Sequence, residues 1–360
     1  MIADALKLSV YFGEAVACGP ELAADVLMRR LAERGLAASA LLRGIEGFGI
    51  NRRIHAERFP DLSTDLPLLA MAVDTAERIR DALPVVDHAV PRGLVTLEPA
   101  RLATGADVAR ATFPDGPGRA AKLTVYCRAA ERYREAVALL RKHNATGAIV
   151  LPGVDGCVDG RRGRARLFGA NANAPMVIIS VGPAELLLRS LPHLHEVLAR
   201  PFVTLERIAQ LKHDGELLEP PPQVPAGLDV WQTIRVYTRR TAQVNGRPLY
   251  SELTRRLRER GGAGATTILG DWGFSSDEAP HGDILGRVAS HRPTYSVYID
   301  RPSAVAEMWP VIDELTAEHG IVTSLLVPGY RERAGEVVNG RLEFDLRRWA
   351  GSSPWAASRY

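Results

Sequence analysis

Apolar and polar positions alternate with a period of two over Leu6–Phe12 (LKLSVYF), with Leu6, Leu8, Val10 and Phe12 on one side and Lys7, Ser9 and Tyr11 on the other. That pattern predicts a half-buried strand. The period then lengthens: Leu22, Val26, Leu27 and Leu31 share one face of a helix over roughly Glu21–Arg34, opened by Gly19-Pro20 and stopped by Gly35. A second strand, Ala37–Arg43, runs into a glycine turn, Gly44-x-x-Gly47, with Phe48 and Gly49 just beyond. Leu66–Val73 is apolar on both faces, as a strand covered on both sides would be. Asp74 and Glu77 make a capping-box-like start for a second helix reaching about Val90, and Leu94–Glu98 is a fourth strand. The order is βαββαβ, the split-βαβ or ferredoxin-like unit.

The pattern recurs twice. Ala121–Cys127, Glu131–Lys142, Ala148–Leu151, Pro175–Val181, a helix opened by Gly182-Pro183, and Phe202–Arg207 repeat the order. Trp231–Thr238, a helix over about Pro248–Arg260, Thr294–Asp300, a helix from Arg301-Pro302, and Ile321–Val327 give it a third time. The glycine turn returns with Gly153 and Gly156 and with Gly270 and Gly273, and each copy is followed by a proline that opens the next apolar run: Pro67, Pro175 and Pro293. The closing strands LVTLEP (Leu94–Pro99) and FVTLER (Phe202–Arg207) echo one another. A spacing kept three times marks an internal repeat. The copies occupy residues 1–102, 119–212 and 230–333, followed by a tail over 334–360. Gly- and Pro-rich Ala103–Gly118 and His213–Asp229, which holds three consecutive prolines, have linker composition.

Tyr11, Tyr126 and Tyr237 recur on the strand-one face opposite the Leu/Val stripe. The stripe belongs beneath the helices, so the tyrosine face needs cover of its own. Three ferredoxin-like sheets packed on each other would supply it, and the physical expectation is a single-chain pseudotrimer, a monomer mimicking a homotrimer.

Composition narrows the function classes. A net charge of +3 over 360 residues gives no reason to expect nucleic acid. Cys18, Cys127 and Cys157 form no Cys-x-x-Cys pair or even framework, which points to a reducing compartment. The N-terminus lacks a leader pattern and no apolar run approaches a membrane span, so the expected location is the cytoplasm.

KLSVYFGE (Lys7–Glu14), LLRGIEGFG (Leu41–Gly49) and DLPLLAMAVDT (Asp65–Thr75) resemble the PII-like proteins of domain of unknown function 190, small relatives of the nitrogen-regulatory PII proteins. The second and third copies match in outline. The resemblance implies three tandem PII-like units that sense an adenine nucleotide (ATP, ADP or AMP, with or without magnesium) in clefts between neighbouring copies. No essential cofactor is implied. The loop after strand two, here 50–64, 157–174 and 275–292, would face a membrane transporter, a channel or an enzyme. The effector-binding set that it implies is Arg43, Gly44, Gly47, Phe48, Gly49, Arg52, Arg92, Gly153, Gly156, Gly270, Gly273 and Phe274. Ile50 stands where the family run Gly-Phe-Gly-Arg has its arginine, and Pro91-Arg92-Gly93 stands in place of a glycine-rich phosphate loop.

Each candidate has a second reading. The glycines suit phosphate cradling, and equally any tight strand-to-loop corner. Arg161, Arg162, Arg164 and Arg166 would pair with phosphates or form a solvated basic loop. Glu46, Asp155 and Asp271 recur at the turns and could hold magnesium, act as bases, or cap turn amides. His193 and His195 have no third ligand at metal spacing. The leading expectation is a non-enzymatic regulator. An enzyme using Glu46, Asp155 or His55, and a structural or nucleic-acid-binding trimer using the arginine loop, are its rivals.

Overall fold

The structure, a computed structural model, describes residues 2–49, 51–57, 65–103, 120–165, 172–222, 224, 229–275, 280–282, 292–333 and 336–341. Arg166, parts of the loops at 50–64, 157–174 and 275–292, residues 104–118 of the first linker and most of the 334–360 tail lie outside them. The main elements of the first repeat are β1 (Ile2–Gly13), α1 (Ala23–Glu33), β2 (Ala38–Arg43), β3 (Glu46–Phe48), β4 (Pro67–Thr75), α2 (Ala76–Ala89) and β5 (Arg92–Ala103). The second contributes β6 (Ala120–Arg128), α3 (Tyr133–Lys142), β7 (Gly147–Val158), β8 (Pro175–Pro183), α4 (Ala184–Val197), β9 (Phe202–Arg207) and β10 (Ala209–His213). The third has β11 (Trp231–Arg239), α5 (Leu249–Glu259), β12 (Ala265–Leu269), β13 (Trp272–Ser275), β14 (Pro293–Asp300), α6 (Pro302–Leu315), β15 (Ile321–Val327), β16 (Gly329–Arg333) and β17 (Glu336–Arg341).

Three separate ferredoxin-like sheets do not form, and the expected pseudotrimer of such units is overturned. Strands of the first two repeats instead close one eight-stranded antiparallel barrel. Its order is β1-β4-β2-β7-β8-β6-β9-β5, and β5 returns to β1. A second, eight-stranded sheet is built on the third repeat but includes β10 from the second and β3 with His55–Ala56 from the first.

The reason lies in the segments after strands two and four, which the sequence pattern presents as glycine turns and as unassigned ends of the repeats. They are strands, and they satisfy their backbone groups on a neighbouring repeat. After strand two, β3 pairs with β12, the far half of β7 pairs with β2, and β13 pairs with the near half of β7. After strand four, Leu102 of β5 pairs with Thr204 of β9, β10 pairs with β15, and β16 pairs with β5. The expected linker at 213–229 begins as a hairpin turned by Asp214 (φ 44°) and Gly215 (φ 88°), the Asp-Gly pair that such two-residue turns favour.

The glycine–proline spacing is explained at these seams. A Cβ on Gly44 or Gly47 would lie 2.8 or 2.9 Å from Pro67 Cγ. The same atom on Gly153 or Gly156 would lie 2.6 or 2.9 Å from Pro175 Cγ, and on Gly270 or Gly273, 2.9 or 3.2 Å from Pro293 Cγ. The Cβ added to each second glycine would also meet a neighbouring repeat's carbonyl: Ala265 O at 2.4 Å for Gly47, Ser39 O at 2.2 Å for Gly156 and Ala148 O at 2.4 Å for Gly273.

The Leu/Val stripes lie beneath the helices. Leu6, Leu8 and Val10 pack with Leu27, Leu31 and Ile79; Leu123 and Val125 with Leu140 and Leu187; Ile234 and Val236 with Leu253 and Ile312. The opposite faces of all three repeats meet in one central cluster that includes Tyr126, Tyr237, Leu151, Val177, Val297 and Trp231. Beside that cluster sits a buried ion network. Glu98 accepts from Lys7 Nζ at 2.7 Å, Lys122 Nζ at 2.8 Å and Arg235 Nη2 at 2.6 Å, and Glu206 lies 3.4 Å from Lys7 and 3.5 Å from Lys122. All five side chains are at most 2% exposed, so Lys7 is covered together with the strand face that it shares with Tyr11. Among the described residues, no helix is long and apolar enough to cross a membrane.

Candidate functional site

The end of β1, the β3 seam and the start of β5 face the start of β12 across a cleft of about 770 Å³ between the first and third repeats. Its apolar wall includes Tyr11, Phe48, Leu94, Val297 and Ile299. Three arginines border it: Arg53 beyond the β3 seam, Arg92 opening β5, and Arg331 on β16. Arg53 and Arg92 are exposed, and Arg331 is half-buried. His55 and Asp65 also line the cleft, His55 Nε2 standing 3.9 Å from Asp65 Oδ2, while Asp65 Oδ1 accepts from the Ala15 amide at 2.9 Å.

Arg331 is held at the back wall. Its Nη2 donates to Ala263 O at 3.2 Å and its guanidinium stacks 5.4 Å from the Trp231 ring, which is fixed in turn by Nε1 donating to Gly329 O at 2.9 Å. The Arg331 Nε is buried and has no hydrogen-bond partner among the described residues. Burial lowers the pKa of this guanidinium; Asp300 opposes the shift and Arg301 adds to it. The guanidinium nevertheless borders the cleft, where its positive charge favours an anionic ligand group.

Of the residues that sequence reading proposed for the effector, Gly47, Phe48, Gly49 and Arg92 line this cleft. Arg43 is turned to Glu14, its Nε 3.1 Å from Oε1, and Gly44 is packed on Pro67. Arg52, at φ 51°, donates to Gly261 O at 3.2 Å and ties the seam to the end of α5. Gly153 and Gly156 sit at the β7–β2 seam, and Gly270, Gly273 and Phe274 near or on the β13–β7 seam, away from this cleft. Arg331 escaped the sequence reading, and Arg53, with Arg52 one of the two arginines nearest the family position that Ile50 fills, was left out of the proposed set. Arg53 adjoins a named arginine, and Arg331 follows Pro328-Gly329 in what read as the end of the last repeat.

The carboxylates proposed as bases serve the seams. Glu46 accepts from Ser251 Oγ at 3.0 Å, Asp155 binds Arg162 Nη2 at 2.7 Å and the Gly156 amide at 2.7 Å, and Asp271 accepts from Tyr133 Oη at 2.9 Å. In the arginine loop, Arg162 is spent on Asp155 and Arg164 pairs with Asp25 at 2.8 Å.

The equivalent junction of the second and third repeats is filled. Tyr237, Phe274 and Ile321 take the places of Tyr11, Phe48 and Leu94, and the space left is about 10 Å³. A Cβ on Gly147 there would lie 2.5 Å from Ile321 Cδ1, a measure of how closely that side chain approaches the strand.

The sequence profile of DUF190, described as an uncharacterized ACR family, matches residues 5–102, 120–210 and 231–328. The chain belongs to the DUF190 family. Its three matched segments fall one on each repeat, so the open cleft lies between the first and third DUF190 segments. A crystal structure of an unknown protein from Galdieria sulphuraria is similar over 57% of this chain and 99% of that one, at 16% identity and a TM-score of 0.19. No inference about fold or function is drawn from that likeness.

Proposed function

We propose that this DUF190 protein is a non-enzymatic effector-binding protein that takes one phosphate-bearing small molecule in the cleft between its first and third repeats. The observation that carries the reading is the meeting of three guanidinium side chains, Arg53, Arg92 and Arg331, on one cleft whose other wall is apolar. Such a wall suits a flat, weakly polar body, and converging guanidinium groups suit phosphate oxygens. An adenine nucleotide combines both features, which also agrees with the motif resemblance to PII proteins. The loop that leaves β3 borders the cleft through Asn51, Arg53 and His55, so occupancy would act directly on it. Binding would thereby reach a partner protein, a transporter, channel or enzyme.

Calorimetric titration of ATP, ADP and AMP into the full chain tests this. We expect saturable binding of at least one nucleotide near one per chain, without release of phosphate, and a loss of about tenfold or more in affinity on Arg92→Ala. Flat titrations for all three would overturn it. Turnover would transfer the cleft to the enzyme reading, with His55 and Asp65 as the groups to test.

A further inference from the structure

The central ion network carries more positive than negative charge. Lys7 lies opposite Glu98 in register, and Lys122 opposite Glu206, so the first two repeats each bring a matched pair. In the third repeat that pair of positions is Thr233 opposite Leu325, and the cation appears two residues later as Arg235. Three buried cations therefore share two carboxylates.

The excess coincides with missing hydrogen bonds. Arg235 Nε donates to Tyr295 Oη at 2.9 Å and Nη2 to Glu98 at 2.6 Å, but Nη1 has no partner among the described residues. Thr233 Oγ1 is likewise buried and unpartnered among the described residues, and Thr323 Oγ1 has only the equally buried Tyr237 hydroxyl near it. Thr233 stands two residues from Arg235 on the same strand face, and Thr323 is directly opposite Arg235 in register. All three side chains are 1% exposed or less. Three donors thus fall at neighbouring positions of one sheet face, where the third repeat has lost the carboxylate that the other two retain.

We infer that a monovalent inorganic anion of about the size of chloride is held against Arg235 Nη1 at the centre of the molecule, with the Thr233 and Thr323 hydroxyls as its other donors. It stands in for the absent third carboxylate and balances the five fixed charges. The strain that it relieves also shows at Lys122, which burial and then Arg235 push down to about 7 despite Glu206 and Glu98. Because the site is enclosed, the ion enters as the chain folds. It is separate from the cleft bordered by Arg53, Arg92 and Arg331, and does not depend on what that cleft binds.

The test is to unfold the full chain and refold it in sodium bromide, crystallise it, and collect data at the bromine absorption edge. In parallel, urea unfolding is followed in chloride and in gluconate, an anion too large for the site, at equal ionic strength. We expect an anomalous peak within hydrogen-bond distance of Arg235 Nη1, and a folding constant that rises with chloride with a logarithmic slope approaching about one. Leu325→Glu, which restores the carboxylate of the other repeats, should abolish both. A wild-type crystal without bromide at Arg235, or stability indifferent to which anion is present, would overturn the inference and leave proton loss from Lys122 as the means of balance. The wild-type diffraction result decides the matter even if the variant fails to fold.

Discussion

Glu98 meets three cations from three repeats, more than any other carboxylate of the network. Burial favours its neutral form, yet Arg235, Lys122 and Lys7 hold its pKa well below the usual carboxylate range. Removing one partner of a buried pair leaves the others uncompensated, so Glu98→Ala should cost about 3–5 kcal/mol in urea unfolding. The stability that Glu98 supplies is complete above the ordinary carboxylate pKa and is lost on acidification. Lys122 acts at the other end of the scale. Its pKa falls from 10.5 to about 7 on folding, so between those values the unfolded chain holds a proton that the folded chain has released. Stability contributed by this group therefore rises with pH across that window and is flat below it. In halide-free buffer we expect the urea midpoint to climb from pH 7 to 9, and Lys122→Met to flatten the climb. These residues were visible in the sequence only as an echo. LVTLEP and FVTLER repeat a glutamate, and the face that Lys7 shares with Tyr11 was expected to be covered, but alternation does not say which charges meet across that cover.

At the scale of elements, the glycine–proline spacing and most strands and helices were legible, because hydrophobic period and turn chemistry are local. The destinations of β3, the far half of β7 and β13 were not, because pairing with another repeat is decided by a distant edge. Gly47 and Gly49 separate the two roles that the sequence left open for these turns. A Cβ on Gly47 would lie 2.4 Å from Ala265 O and 3.2 Å from Thr266 Cα, whereas one on Gly49 meets nothing within 4 Å. Gly47→Ala should destabilise the chain by about 1–3 kcal/mol through overpacking of the β3–β12 seam. Gly49→Ala should stay within about 0.5 kcal/mol of the wild type. Equal unfolding midpoints for the two variants would show that the seam tolerates the extra atom.

For the whole molecule, the three repeats and their order could be read from the chain, while their fusion into shared sheets could not. A closed barrel needs four strands from each of the first two repeats, and the third repeat both lends and borrows strands at its edges. No repeat keeps its backbone groups satisfied alone, so unfolding should be one cooperative event. All five tryptophans lie at or beyond Trp231, so fluorescence reports the third repeat and the tail while far-ultraviolet circular dichroism reports every sheet. The two signals should trace coincident urea curves. Separate transitions would mean that the barrel and the third repeat are independent bodies, and a cleft built from both would then be hard to maintain.

The claim on which the functional account rests is that this cleft takes a phosphate-bearing ligand through its arginines. A crystal structure of the full chain grown with whichever of ATP, ADP or AMP binds tests it most directly. The account predicts one nucleotide per chain, its phosphates at the Arg53, Arg92 and Arg331 side chains and its base against Tyr11, Leu94 and Ile299, with none at the filled junction beside Ile321. A nucleotide bound elsewhere, or a cleft left empty beside saturating ligand, would contradict it.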